Sequence, residues 1–318
     1  MRIGVLNNLR AGRSDEMVAR TLARLQRYPD VIHVETDSAR VLPEALGELL
    51  REDIDLLVLN GGDGTLQFAL SELLSDPHRH HIPWVAPLRG GRTNMTATDL
   101  GAHRNPLRGL ENVLRAHAEG RLQERAVVRP VLRISSRRRG TRQYGMFFGA
   151  GMIHRAISLV HELFPPGRSQ GVLGASLVTA ALVGKILARP NDGILTPDKA
   201  LVSLDGDLTL GGEYYLLIAS SLQRLFSRMN PFWGRGPGGV RFTAMSANAR
   251  RMATTLPRIA YGHPPAFATP DHGYTSANAE RVDLRIDSGF TIDGEIFEPI
   301  PDESIRLELD RRVTFVRA

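Results

Sequence analysis

Apolar residues recur along the first 120 positions in short blocks separated by amphipathic stretches, the pattern of strands alternating with helices. Ile3-Gly4-Val5-Leu6 reads as a buried strand, followed by a polar turn from Asn7 to Arg13. Ser14 then caps a predicted helix with Asp15 and Glu16 in its first turn and Met17, Val18, Leu22 and Leu25 on one face. Strands are predicted at Val31 to Val34, Ile54 to Leu59 and Pro83 to Ala86, and helices at Pro43 to Arg51, Thr65 to Ser75 and Pro106 to Ala118. Ile54 to Leu59 is nearly continuous in apolar residues, as in a strand covered on both faces. Such alternation predicts a parallel sheet wrapped by helices.

After Gly120 the texture changes. Short alternating strands are predicted at Val127 to Ile134, Gln143 to Phe148, Tyr214 to Ala219, Val240 to Met245, Val282 to Ile286, Gly289 to Ile292 and Ile305 to Leu309. A helical region, Gly151 to Ala188, interrupts them and breaks at Pro165-Pro166-Gly167. This predicts a mostly antiparallel β domain with a helical insertion, and a boundary near Arg121 to Arg125.

The length, 318 residues, agrees with two domains. With 42% hydrophobic and 23% charged residues, the chain is an ordinary globular protein rather than a disordered one or a rod. Only Lys185 and Lys199 are lysines, so 38 of the 40 cations are arginines, against 34 acids. The excess of +6 is dispersed rather than gathered on one arm, and no nucleic-acid partner is expected. The densest run, Arg137 to Arg139 near Arg133 and Arg142, reads as a solvated hairpin tip, with contact to an anionic lipid or nucleotide the alternative. There is no cysteine, which excludes disulfides, thiolate metal sites and cysteine nucleophiles. The run Gly171 to Gly184 is too short to span a bilayer, and the N-terminus lacks a long apolar leader segment. A cytoplasmic protein, soluble or peripherally bound, is expected.

The most informative residues are Asn60-Gly61-Gly62-Asp63-Gly64-Thr65, which leave a buried strand and enter a helix. There, backbone N–H groups and the helix dipole favour phosphate, and Thr65 can cap the helix or touch a phosphate oxygen. Asp63 argues for a cation between carboxylate and phosphate, as in Mg-nucleotide chemistry. The loop is not a Walker A motif, because no Gly-Lys-Ser/Thr follows. Other matches fail on context. Gly167 to Gly171 fits G-x-S-x-G without the strand that a nucleophile elbow needs. Gly234 to Gly239 fits G-x-G-x-x-G, yet Pro237 makes it a loop, and His78 to His81 reads as a solvated loop rather than a metal site. Asp293-Gly294-Glu295 follows a strand and, taken alone, reads as a hairpin turn.

At Gly61 to Thr65 the chain resembles the diacylglycerol kinase catalytic-domain family, bacterial lipid kinases similar to sphingosine, ceramide and NAD kinases. Asn8 to Gly12 resembles the family's Asn-Pro-x-Ser/Ala-Gly, with Leu9 for Pro. Thr36 matches a nucleotide-contacting threonine, and Gly91 to Gly101 keeps Gly91, Asn94, Ala97, Leu100 and Gly101 of a second segment. Asp293-Gly294-Glu295 matches a terminal motif whose glutamate is taken as the general base, and favours the lipid side over NAD kinases. Arg92, Met95 and Thr98 depart from the family's Thr, Asp and Arg, and Pro237 to Val240 lacks the carboxylate of its structural Mg2+ site. No structural metal ligand is carried over, and Arg92 stands as a substitute phosphate grip.

The resemblance implies an α/β protein: a Rossmann-like nucleotide domain over residues 1–123, rejoined by 311–318, and a mostly antiparallel β-sandwich over 124–310. ATP is expected on Asn8, Arg10, Gly12, Thr36, Gly61, Gly62, Asp63, Gly64, Thr65, Arg92 and Asn94, with Mg2+ bridging its phosphates near Asp63. Glu295 is the expected base for a lipid hydroxyl. The lipid is expected at a membrane surface, where the helix around Leu173 to Leu187 would use Arg168, Lys185 and Arg189 to meet anionic headgroups. The alternatives are an NAD or other small-molecule kinase, and a non-catalytic nucleotide- or lipid-binding homologue.

Overall fold

The computed structural model describes residues 1–9, 20–21, 23–38, 40–163 and 196–318. The chain divides into two compact units, one made of residues 1–129 with 312–318, the other of the described part of 130–311. The sequence expectations for Arg10, Gly12, the Ser14 cap, the continuation of the helical region through Ala188 and the G-x-S-x-G segment fall outside the described residues.

In the first unit, β1 (Ile3–Asn8) lies between β2 (Ile32–Thr36) and β3 (Leu56–Asn60), and β3 adjoins β4 (Trp84–Pro87). Every pair is parallel, as the strand–helix alternation predicted. All five residues of β3 are buried, the consequence of helices on both faces. Helix α1 (Leu42–Arg51) buries Leu42, Ala45, Leu46 and Leu49, a stripe spaced by three and four residues. Helix α2 (Asp63–Ser75) leaves β3 through Gly61-Gly62, and α3 (Met95–Asp99) is a single short turn after β4. Helix α4 (Pro106–Ala118) begins at Asn105, whose side chain accepts from the Leu107 N–H at 2.9 Å. Its Leu110, Val113 and Leu114 pack with Val5, Val58 and Ala86 of the sheet.

In the second unit β5 (Ala126–Ser136), β6 (Thr141–Gly145) and β7 (Phe147–Gly151) lead into α5 (Met152–Leu163). Then come β8 (Asp198–Leu204), β9 (Leu208–Ser220), β10 (Val240–Ser246), α6 (Met252–Ala260), β11 (Tyr274–Ala279) and β12 (Arg281–Ile286). The hairpin β13 (Phe290–Ile292) and β14 (Glu295–Phe297) precedes the long β15 (Glu303–Val316). The order β14-β13-β7-β9-β8-β12-β15 is antiparallel throughout, with β10 and β11 added beside β9. Its core gathers Phe148, Phe242, Phe290, Val282, Leu284 and Leu307, all at most 1% exposed.

The predicted mixture of a parallel α/β part and an antiparallel β part is the observed one. Several details differ. Gln143 to Phe148 is two strands parted at Met146, and the last predicted strand extends to Val316, where Phe315 pairs with Val85 of β4. Strands β8, β11 and β14 and helices α3 and α6 were not predicted. In β8 the inward Ala200 and Val202 alternate with an exposed Leu201, a weak period; α6 contains Pro257, which hides a helix from propensity.

Candidate functional site

The parallel strands end in neighbouring polar residues. Asn7 pairs in register with Asn60, and Asn8 with Thr36. The Asn60 amide donates to Asn7 Oδ1 at 2.5 Å, both residues being buried. Asn8 Nδ2 donates to Thr65 Oγ1 at 2.9 Å, and buried Thr36 donates to the Ser38 carbonyl at 2.8 Å. Gly62, in extended conformation, is the N-cap of α2, without a side-chain cap bond. The helix thus starts at Asp63, two residues earlier than predicted, and Thr65 is an in-helix partner of Asn8 rather than the cap. The first N–H groups of a helix have no intrahelical acceptor, so Gly62, Asp63 and Gly64 open onto an anion-favouring helix start.

Two loops touch here backbone to backbone. The Gly90 N–H donates to the Gly61 carbonyl at 3.1 Å, and a Cβ on Gly91 would lie 2.4 Å from the Gly62 Cα. Asn94, at φ 50°, accepts from the Gly91 N–H at 2.6 Å and donates to its carbonyl at 2.7 Å. The Asp63 carboxylate accepts from the Met95 N–H at 2.9 Å and the Thr96 N–H at 3.2 Å. Burial pushes this carboxyl above its ordinary value, against backbone N–H groups that pull it down. The cation that the sequence suggests is therefore not needed to hold Asp63: two N–H groups at the start of α3 already meet its carboxylate.

A protein-held metal does not fit these residues. Among the described residues no three His, Asp or Glu side chains cluster. Asp63, the loop's one carboxylate, already accepts at both oxygens. Mg2+ would have to arrive with a nucleotide. A nucleotide phosphate does fit the helix start, and buried polar atoms nearby, Asn7 Nδ2, Asn60 Oδ1 and Thr96 Oγ1, have no hydrogen-bond partner among the described residues.

Arg92 is half-buried in the Gly91 loop. The sequence reading missed Arg89, which sits beside Gly90. Burial and the like charge of Arg104 lower its pKa, and its Nε is buried with no partner among the described residues. Its signal was only its place between a buried strand and a Gly pair.

In the second unit Asp293 and Gly294 form the two-residue turn of the β13–β14 hairpin, at φ 50° and 93°. Asp293 is buried and accepts from the Met146 N–H at 2.8 Å and the Phe147 N–H at 3.0 Å, the tie to backbone N–H groups expected of a turn residue. Glu295 is exposed on β14, where its backbone pairs with Ile292, and its side chain makes no hydrogen bond or ion pair among the described residues. The structure thus gathers Asn8, Thr36, Gly61, Gly62, Asp63, Gly64, Thr65, Arg92 and Asn94 in one unit and carries Glu295 on the other.

The remaining motifs resolve structurally. A Cβ on Gly234, Gly236 or Gly238 would fall 2.2, 2.2 and 1.8 Å from the backbone of β11, so these glycines serve a close approach. His78, His80 and His81 are exposed, as expected of a loop. Arg137 and Arg138 are exposed, but Arg139 is not solvated: its Nε and Nη2 grip buried Glu303 at 2.6 and 2.7 Å.

Residues 2–121 match the family described as the diacylglycerol kinase catalytic domain, which bears out the resemblance over that stretch. No curated protein matches the sequence. A solved structure described as a putative diacylglycerol kinase from Bacillus anthracis str. Sterne aligns over 100% of this chain and 97% of its own, at TM-score 0.69 and 16% identity. An NAD kinase from Archaeoglobus fulgidus in complex with ATP aligns over 100% and 94%, at TM-score 0.50 and 15% identity. Yeast NADH kinase complexed with NADH aligns over 99% and 83%, at TM-score 0.52 and 11% identity. At these identities the structures share the fold.

Proposed function

We propose that the chain is an ATP-dependent kinase that transfers the γ-phosphate to a lipid hydroxyl of the diacylglycerol type. That the chain is a lipid or small-molecule kinase rests on the family match; the choice of a lipid rests on Asp293-Gly294-Glu295. What carries it is that the match over residues 2–121 includes the helix start at Gly61 to Thr65 and the Gly91 to Asn94 loop. ATP phosphates would lie at the first turn of α2, with Asn8, Thr36, Thr65, Arg92 and Asn94 around them. Arg10 and Gly12 belong to the same proposal. Glu295, exposed and unpaired, would accept the hydroxyl proton as the oxygen attacks the γ-phosphorus and the β,γ-bond breaks to release ADP. The peripheral, cytoplasmic location and the residue 1–123 nucleotide domain are parts of this reading.

An NAD or other small-molecule kinase is the second reading, favoured by the fold shared with the ATP-bound Archaeoglobus structure. Met95 and the missing carboxylate near Pro237 favour a non-catalytic homologue. Labelled phosphate transfer from ATP to diacylglycerol, phosphatidylglycerol, a sphingoid base and NAD separates the three. Transfer to lipid is expected, and Glu295→Gln should lower kcat by about 10²–10⁴-fold with ATP affinity unchanged. Transfer to NAD alone, or none, overturns the lipid reading.

A further inference from the structure

The tip of the β5–β6 hairpin reads in the sequence as a solvated run of arginines, but the structure builds it into a cleft. Ser135, Arg137 and Arg142 of the hairpin face Asp283 of β12 and Ser304 and Arg306 of β15 across a hollow of about 250 Å³. The single acid there is already spent: Asp283 meets Arg281 Nε at 2.9 Å and Arg306 Nε at 2.8 Å. A guanidinium presents five N–H donors in a fork, so one Nε contact leaves the outer edge of Arg306 for a further acceptor. Two serine hydroxyls add neutral donors to the wall.

The hairpin tip is also held in place. Buried Glu303, at the start of β15, receives both Arg139 and the Ser136 hydroxyl, the latter at 2.6 Å. The Arg139 guanidinium lies 5.0 Å from the Phe290 ring centre and 5.8 Å from that of Phe297. It also donates to the Glu298 carbonyl, directly after β14. The turn that presents Arg137 is thereby fastened to the hairpin that carries Glu295.

We propose that this cleft takes the phosphate group of an anionic phospholipid and docks the second unit on a negatively charged membrane surface. Cationic walls with paired acid and hydroxyl donors match a phosphodiester, and exposed Arg137 and Arg138 add attraction toward a charged bilayer. The choice of a membrane as the source of the phosphate rests on the lipid-kinase reading; the anion chemistry of the cleft does not.

The test is sedimentation, without nucleotide, on vesicles of phosphatidylcholine alone and of phosphatidylcholine mixed with phosphatidylglycerol. Binding is expected only on the mixed vesicles. Replacing the two exposed arginines at the tip, Arg137→Ala with Arg138→Ala, should weaken it by about tenfold or more while the melting temperature stays unchanged. Equal binding by the double variant overturns the proposal. So does tight binding of soluble glycerol phosphate in place of vesicles, or retention of short RNA but not vesicles. Failure of the kinase reading would appear in the phosphate-transfer assay and in Glu295→Gln, neither of which enters the sedimentation measurement.

Discussion

Two aspartates in different units hold their surroundings in the same way. Asp63, at the start of α2, receives the successive N–H groups of Met95 and Thr96; Asp293, in the β13–β14 turn, receives those of Met146 and Phe147. Each carboxylate spreads its two oxygens over two consecutive amides of a segment far away in sequence. Sequence reasoning had separated them, one as a metal-facing acid and one as a turn residue. The difference between them lies in what surrounds the carboxylate. Asp63 stands where a helix start opens toward an anion, and two glycine loops press together beside it. Asp293 is enclosed in an antiparallel hairpin. A shared local chemistry therefore does not imply a shared role; the helix-start N–H groups next to Asp63, which have no intrahelical acceptor, distinguish the first site.

The largest effect expected follows from the glycine that serves each aspartate. At Gly91 an added Cβ would meet the Gly62 Cα at 2.4 Å, backbone against backbone, and neither loop can yield without breaking the Asn94 and Asp63 contacts. At Gly145 the obstacles are the Ile292 Cγ2 at 2.5 Å and the Asp293 Oδ2 at 2.6 Å, both on side chains. Gly91→Ala should therefore cost about 3 kcal/mol or more, and Gly145→Ala less, because side chains can rotate aside. Chemical denaturation of both variants measures this. A larger loss at Gly145 would mean that the loop contact in the first unit is slack.

Next come the aspartates themselves. In Asp63→Asn or Asp293→Asn one amide hydrogen-bond acceptor becomes an NH2 facing an N–H. Each variant should lose about 1–3 kcal/mol, the cost of a buried donor left unsatisfied. The variants should part in activity: Asp63→Asn shifts α3 and the Asn94 loop, and phosphate transfer should fall with it. Asp293→Asn should retain kcat per folded molecule. Melting curves beside transfer rates check both. If Asp293→Asn lost as much activity as Asp63→Asn, the hairpin turn would be acting on the reaction through Glu295.

How much of this was legible depends on where the signal lies. The parallel part announced itself because β3 is apolar without interruption and α1 carries its stripe at Leu42, Ala45, Leu46 and Leu49. Strand β11 did not: Tyr274 to Ala279 is polar and small, and it holds by backbone pairing and by the Ser276 hydroxyl, which meets the Trp233 and Gly234 N–H groups at 3.2 and 3.0 Å. The glycine loop was visible as an element exit, but the two amides that receive Asp63 lie 32 and 33 residues away, a distance no local pattern spans. Arg139 shows the same limit, since its acid, Glu303, is 164 residues distant. Periodicity reports burial along one element, whereas the partner of a buried charge is set by tertiary contact.

The smallest effect is one of pH, and it isolates Asp63. Burial raises the Asp63 carboxyl above its ordinary value of 3.8, with backbone N–H groups opposing the shift. Between that ordinary value and the raised one, the folded state still holds a proton that the unfolded chain has released. Stability from this group therefore falls as pH rises through the window and recovers as pH drops back through it. Solvent reaches the edge of the residue and screens the effect, which keeps it below the substitution costs above. Asp63→Asn cannot titrate, so its melting temperature should lack this component, and the wild-type advantage over it should widen on acidification. A pH profile of Asp63→Asn parallel to that of the wild type would show that Asp63 carries no raised titration and that its two amide bonds govern the carboxyl.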